Sequence, residues 1–287
     1  MEPIKTEVNV GKYKFIITDN TLSAREEIYC RNFKIGGNHS DCVNVSISYK
    51  NNEPISASMP HIIYDPECSM DTPLDRGGGS VIMIKTLLQH IHAELPSITE
   101  VLFEDKSNIE CASEIQKNAA KARKRGTNIY PIPLYYFSIA FNGKTWYEKH
   151  FNARQKNESK HTAYKTKIAS LLYSEEIKKS TEFIEFLRIA QPPVEIIEEL
   201  EAYYNKSATF SDFFTSIPHI DRCRLVRDWI STFMEHHLRD LFSNKDWVID
   251  IPFLIKGGKR NTKKYYCPKG IRHTKTYKDF GVDVNDI

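Results

Sequence analysis

The sequence is short of several things at once, and each shortage excludes something. No run approaches the ~18 consecutive apolar residues that a membrane span requires, so no membrane role is expected. The opening stretch MEPIKTEVNV is charged and has no apolar core. A secretory leader is therefore not expected, and the reducing cytoplasm is the expected compartment. The six cysteines, Cys30, Cys42, Cys68, Cys111, Cys223 and Cys267, include no C-x-x-C pair. Even parity would permit three disulfides, but without a secretory context free buried thiols are expected. His39 and Cys42 have a zinc-like local spacing, yet no second pair follows at finger distance, so a loop histidine and a core thiol are expected and no metal. Internal repeats and long low-complexity tracts are missing too. Glycine is scarce, with twelve in 287 residues.

The composition that remains is globular, with 40% hydrophobic and 27% charged residues. Such a length suits one large domain or two ordinary ones. The net charge is +3, but it is unevenly spread. Residues 256–278 hold nine Lys and Arg and no Asp or Glu, which leaves −6 on the rest of the chain. A basic C-terminal segment thus follows a mildly acidic body.

The first half reads as α/β. Strands are expected at 12–19, 43–50 and 53–64, where β-branched or aromatic residues are bounded by Asn, Asp, Gly or Pro. Val43, Val45, Ile47 and Tyr49 alternate with polar residues, as in a strand with one buried face. A helix follows, with Val81, Ile84, Leu87, Leu88 and Ile91 on one stripe, and then a short strand at 98–105. Ser107 and Glu110 make a capping-box signature for a helix running to about Lys124. A βαβ unit is expected here. Helices are expected within 133–151, with Pro133 in a first turn, Gly143 past a helix end and Thr145–Glu148 as a cap. The polar stretch 152–161 marks the expected boundary to a mainly helical extension. Its stripes are Ile196, Ile197, Leu200 and Tyr203, then Val226, Trp229, Ile230, Phe233, Met234, His237, Leu238 and Leu241, and a late strand is expected at 246–255.

Against so few glycines, Gly77, Gly78 and Gly79 stand together where the first helix begins. A helix start presents unpaired N–H groups and a partial positive charge, and glycine lets a ligand approach the backbone. An anion site is expected, with Arg76 beside it and Ser80 after it. No lysine follows Gly79 as a P-loop demands, and Ile82 stands where a dinucleotide fingerprint needs its third glycine.

The stretch GGGSVIMIKTLL resembles the Q/R-x-x-G-x-G/A turn of GNAT-type acetyltransferases, which binds the pyrophosphate of acetyl-CoA through backbone amides. ISASMPHIIYDPE and ITEVLFEDKS lie where that family has its fourth and fifth strands, and TWYEKHF is similar to its Y-x-x-x-G-F segment, with Tyr147 and Phe151 in register. The resemblance covers roughly residues 10–152. It extends more closely to GNAT-like proteins of large DNA viruses of eukaryotes, which would make the compartment the host cytoplasm or the virion. Leu74 stands where the turn motif has Gln or Arg, and His150 where the later motif has glycine.

The resemblance implies an α/β fold with a GNAT-like mixed central sheet and flanking helices over 1–155, followed by a helical extension at 156–255 and a basic tail at 256–287. It implies acetyl transfer from acetyl-CoA to an amine of unread identity. Arg76, Gly77, Gly78, Gly79, Ser80 and Asn108 would hold the coenzyme, and the Ile62, Ile63 and Tyr64 amides would polarise the thioester carbonyl. Asp65 or Glu67 would deprotonate the amine, and Tyr147 would protonate the leaving thiolate. Beside this stands a second expectation, a structural or binding protein that has kept the fold and lost the chemistry. In it Lys259, Arg260, Lys263, Lys264, Lys269, Arg272 and Lys275, interleaved with Tyr265, Tyr266 and Tyr277, would meet nucleic acid or an acidic partner. The five cationic residues of KNAAKARKRG at 117–126 would add to that charge.

Overall fold

A computed structural model describes residues 3–21, 28–38, 41–109, 132–226 and 229–255. The expected capping-box helix beyond Ile109 and the basic tail therefore lie outside the described residues, as does His39. The architecture is α/β, with a large mixed sheet and flanking helices, and the chain divides into two compact units. One comprises the residues up to Leu102 and those from Ile249, and the other runs from Phe103 to Val248.

The first unit opens with five strands: β1 (Ile4–Val10), β2 (Tyr13–Thr21), β3 (Ile28–Gly36), β4 (Val43–Lys50) and β5 (Glu53–Ile62), each antiparallel to the next. Two of them, β1 and β3, lie beyond the strands expected from the sequence. β4 spans the expected residues, and Val43, Val45, Ile47 and Tyr49 are buried while the alternate residues are not. After β5 a single 3-10 turn, Pro66–Cys68, leads to helix α1 (Gly78–Glu94) and strand β6 (Glu100–Phe103), which neighbours β5 in the sheet. A helical crossover of this length is what the expected βαβ unit requires. The α1 stripe is buried as expected, and Met83 and Thr86 are buried beside it.

The free-thiol expectation fails at one pair. Cys42 and Cys68 form a disulfide with their Cα atoms 5.9 Å apart. The loop before β4 and the turn after β5 pack together, with Asn38 N–H donating to Glu67 C=O at 3.0 Å and the bare Cα of Gly37 against Ser69. That packing brings two buried sulfurs within bonding reach across 26 residues of sequence. Cys42 is thereby removed as a metal ligand. Cys30 stays a free thiol.

The second unit is mainly helical, and residues 103–155 group with the helices that follow them. Short strands β7 (Asn108–Ile109) and β8 (Ile132–Pro133) pair with each other. Asn108 and Ile109 are therefore strand, and the rest of the expected helix lies outside the described residues. Helices α2 (Leu134–Asn142) and α3 (Trp146–Phe151) end and begin at the expected signals: Gly143 is left-handed at φ 67°, and Thr145 and Glu148 cap α3 reciprocally. Strand β9 (Arg154–Gln155) precedes α4 (Glu158–Tyr173), α5 (Glu175–Ser180), α6 (Phe183–Ala190), α7 (Ile197–Asn205), α8 (Phe210–Ser216), α9 (His219–Val226) and α10 (Trp229–Leu238). Phe186, Phe213, Phe214, Trp229 and Phe233 form the aromatic centre of this unit. In α7 the buried tyrosine is Tyr204, not Tyr203, because the buried face follows the i, i+4 row from Ile196 through Leu200. The late strand is shorter than expected: β10 (Trp247–Asp250) gives way to α11 (Ile251–Ile255), which belongs to the first unit and packs there on α1.

Candidate functional site

The glycine turn is held from both ends by the chain itself. Gly77 has φ 75° and ψ −83°, and Gly78 N–H donates to Arg76 C=O at 3.0 Å across it. This is a γ-turn with positive φ at its centre, a strained conformation for any residue carrying a Cβ. Gly79 N–H donates to Asp75 C=O at 3.1 Å, and Val81 N–H to Gly77 C=O at 3.0 Å. A Cβ on Gly79 would sit 2.9 Å from the Cγ and Cδ1 of Leu74 and 3.3 Å from the Tyr13 hydroxyl. Leu74 is itself buried. A diphosphate settling here through the Gly78 and Gly79 amides would displace two backbone hydrogen bonds, and at Gly79 it would meet Leu74.

The flanking residues are engaged in the same local structure. The Tyr64 hydroxyl donates to Leu74 C=O at 3.1 Å, and the Arg76 guanidinium lies 5.6 Å from the Tyr64 ring centroid. Tyr13 donates to Asp75 Oδ2 at 2.6 Å, and Lys12 Nζ is 2.6 Å from the same oxygen. Lys12 and then Tyr13 hold the Asp75 carboxyl below its ordinary value. This Lys12–Asp75–Tyr13 contact escapes sequence reading, since Tyr13 and Asp75 are 62 positions apart. Ser80 is buried at the first turn of α1.

At the end of β5, Ile62 pairs with Val43, and the Ile63 amide donates to Cys42 C=O at 2.7 Å. Its N–H is thus already bonded. The Asp65 carboxylate accepts from Glu67 N–H at 2.8 Å and caps the 3-10 turn, the role of a turn residue. Glu67 is exposed, and its carbonyl accepts from Asn38.

Tyr147 and Asn108 belong to the second unit. Tyr147 is buried, its ring 4.5 Å from that of Phe103 and its hydroxyl 3.4 Å from Ser107 Oγ. Burial, then the nearby Asp105 charge, push its phenol above the ordinary range, so it holds its proton at any physiological pH. Asn108 is exposed, with its side-chain amide on Lys106 C=O at 3.1 Å. The structure thus gathers Tyr64, Leu74, Arg76 and the glycines into one cluster and Tyr147 with Ser107 into another.

Two buried charged side chains, Asp105 and Lys178, carry no expectation from the sequence, and half-buried His237 lies on the expected packing stripe. Asp105 accepts from Ser107 N–H at 3.1 Å through Oδ1, while its Oδ2 has no partner among the described residues. Lys178 places its ammonium 3.2 Å from the Tyr204 ring centroid and donates to Tyr204 C=O, and burial lowers its pKa to about 8. His237 meets Phe233 edge to face with ring centroids 4.7 Å apart, and burial lowers its pKa to about 4. Among the described residues no group of three or more His, Cys, Asp or Glu could hold a metal, and no helix is long and apolar enough to cross a membrane. Comparison of the chain with protein-family models, curated proteins and solved structures finds no match.

Proposed function

We propose that this chain is a nucleic-acid-binding protein on a GNAT-like α/β scaffold, without acetyl-transfer activity. The observation that carries the loss of chemistry is the closed glycine turn, where Leu74 fills the space before Gly79 and carbonyls of Asp75 and Arg76 occupy two amides. The ligand class rests on the charge of the sequence. Nine cationic residues and no acidic ones stand at 256–278, interleaved with three tyrosines, while the rest of the chain is net negative. Lysines and arginines there would neutralise phosphates, and the tyrosines would stack on unpaired bases.

Acetyl transfer is the second reading. The succession of β5, a glycine-headed α1 and a neighbouring β6 favours it. It requires the turn to open, with Leu74 leaving Gly79 and two amides leaving their carbonyls. Tyr147 would also need a route to the leaving thiolate from its buried position.

Binding of the full chain to a labelled single-stranded oligonucleotide tests the first reading. Affinity should fall steeply with salt. Changing Lys263, Lys264, Lys269 and Arg272 to Gln should flatten that salt slope by about one unit for each phosphate no longer neutralised. Binding insensitive to salt, or unchanged in the variant, would defeat the nucleic-acid assignment.

A further inference from the structure

Strand β1 stands at the end of the sheet order, so among the described residues one side of its backbone has no strand beside it. Its residues Ile4, Lys5, Thr6 and Glu7 are all exposed, Ile4 by 66% of its surface. An open edge of this length is a template for another strand unless something rejects it.

The hairpin geometry tells which groups face outward. Gly11, at φ 58°, and Lys12 form the two-residue loop between Val10 and Tyr13. A glycine in the first loop position suits a type II′ turn, which closes on a hydrogen-bonded pair. Hydrogen-bonded and non-bonded pairs then alternate along β1, so Val10, Val8, Thr6 and Ile4 turn their backbone groups toward β2. Lys5, Glu7 and Asn9 turn theirs to the open side. A second copy of the strand, running antiparallel about a two-fold axis, must match outward groups with outward groups.

Only one such register pairs opposite charges. With Thr6 facing Thr6, each Lys5 faces the other copy's Glu7 and each Ile4 faces Val8. A slip of one step to either allowed neighbour sets Lys5 against Lys5 or Glu7 against Glu7. The sequence Ile4-Lys5-Thr6-Glu7-Val8 is therefore self-complementary in charge and in apolar character, and it repels its own misaligned pairings. We propose that β1 is a homodimer interface, in which two copies of this chain join their sheets edge to edge through antiparallel β1 strands centred on Thr6.

The contact is isologous, as two-fold dimers are. A strand pair alone buries less than the ~1,200 Å² of a stable standard interface, so the dimer should dissociate on dilution. Glu7 also lies 3.0 Å from half-buried Lys14 within its own chain.

Sedimentation velocity of the full chain over a concentration series tests the proposal by charge exchange. Wild type should pass from monomer to dimer. Lys5→Glu and Glu7→Lys should each weaken association at least about tenfold, because two attractive contacts become two repulsive ones. The double variant K5E/E7K restores opposite charges in the same register and should recover dimerisation. A wild type that stays monomeric, single variants that dimerise as wild type does, or a double variant no better than the singles would each overturn it.

Discussion

Asp105 is 1% exposed, and its Oδ2 has no hydrogen-bond partner among the described residues. Burial raises its pKa from the ordinary 3.8 to about 6, partly offset by the Ser107 amide and hydroxyl. The folded state therefore holds this proton more tightly than the unfolded chain does. Its ionisation costs nothing below pH 4, costs progressively more up to about pH 6, and carries its full cost above that. Asp105→Asn keeps the acceptor for Ser107 and removes the charge. It should be more stable than wild type at pH 7 by on the order of 2–3 kcal/mol, with the difference vanishing near pH 4. Urea unfolding of both proteins at the two pH values checks this, and a difference independent of pH would refute it. Tyr147, Lys178 and His237 follow the same rule, each with its charged form disfavoured chiefly by burial. His237 lies on a stripe legible in the sequence, whereas the environments of Tyr147 and Lys178 are set by segments distant along the chain. The glycines differ: their number and place were legible, whereas their reasons, a positive φ at Gly77 and Leu74 against Gly79, belong to the fold.

At the scale of elements, the Cys42–Cys68 bridge ties the loop before β4 to the segment leading into α1. Closing a loop of 26 residues is worth about 3.5 kcal/mol in chain entropy. The double variant C42A/C68A should lose roughly that much in urea unfolding. Reductant should destabilise wild type by a similar amount and leave the variant unchanged. Equal stability of the two proteins would show that the bridge does not form. Elements with local signals were the readable ones. β4 announced itself by alternation, and α2 and α3 by Gly143 and the Thr145–Glu148 cap. That cap is reinforced from outside, since Tyr164 and Lys165 both reach Glu148, at 2.9 and 3.1 Å. β1 does alternate Ile4, Thr6, Val8 and Val10 with Lys5, Glu7 and Asn9, a strand signal that the expected strands did not include, although it buries almost nothing. The end of β10 was hidden because Trp247 to Ile251 are mostly apolar and carry no period that separates strand from helix.

For the whole molecule, an α/β body with a net negative charge and a basic C-terminal segment suits an association role in which the body scaffolds and the segment binds. The self-complementary β1 edge would double the number of basic segments per particle, and two tethered segments bind a long polyanion more tightly than one. The claim under all of this is that the start of α1 is closed by the protein's own atoms. Calorimetric titration of acetyl-CoA into the full chain tests it most directly. The account predicts no saturable heat at millimolar coenzyme. Micromolar binding that disappears on changing Gly79 to a bulky residue would contradict it.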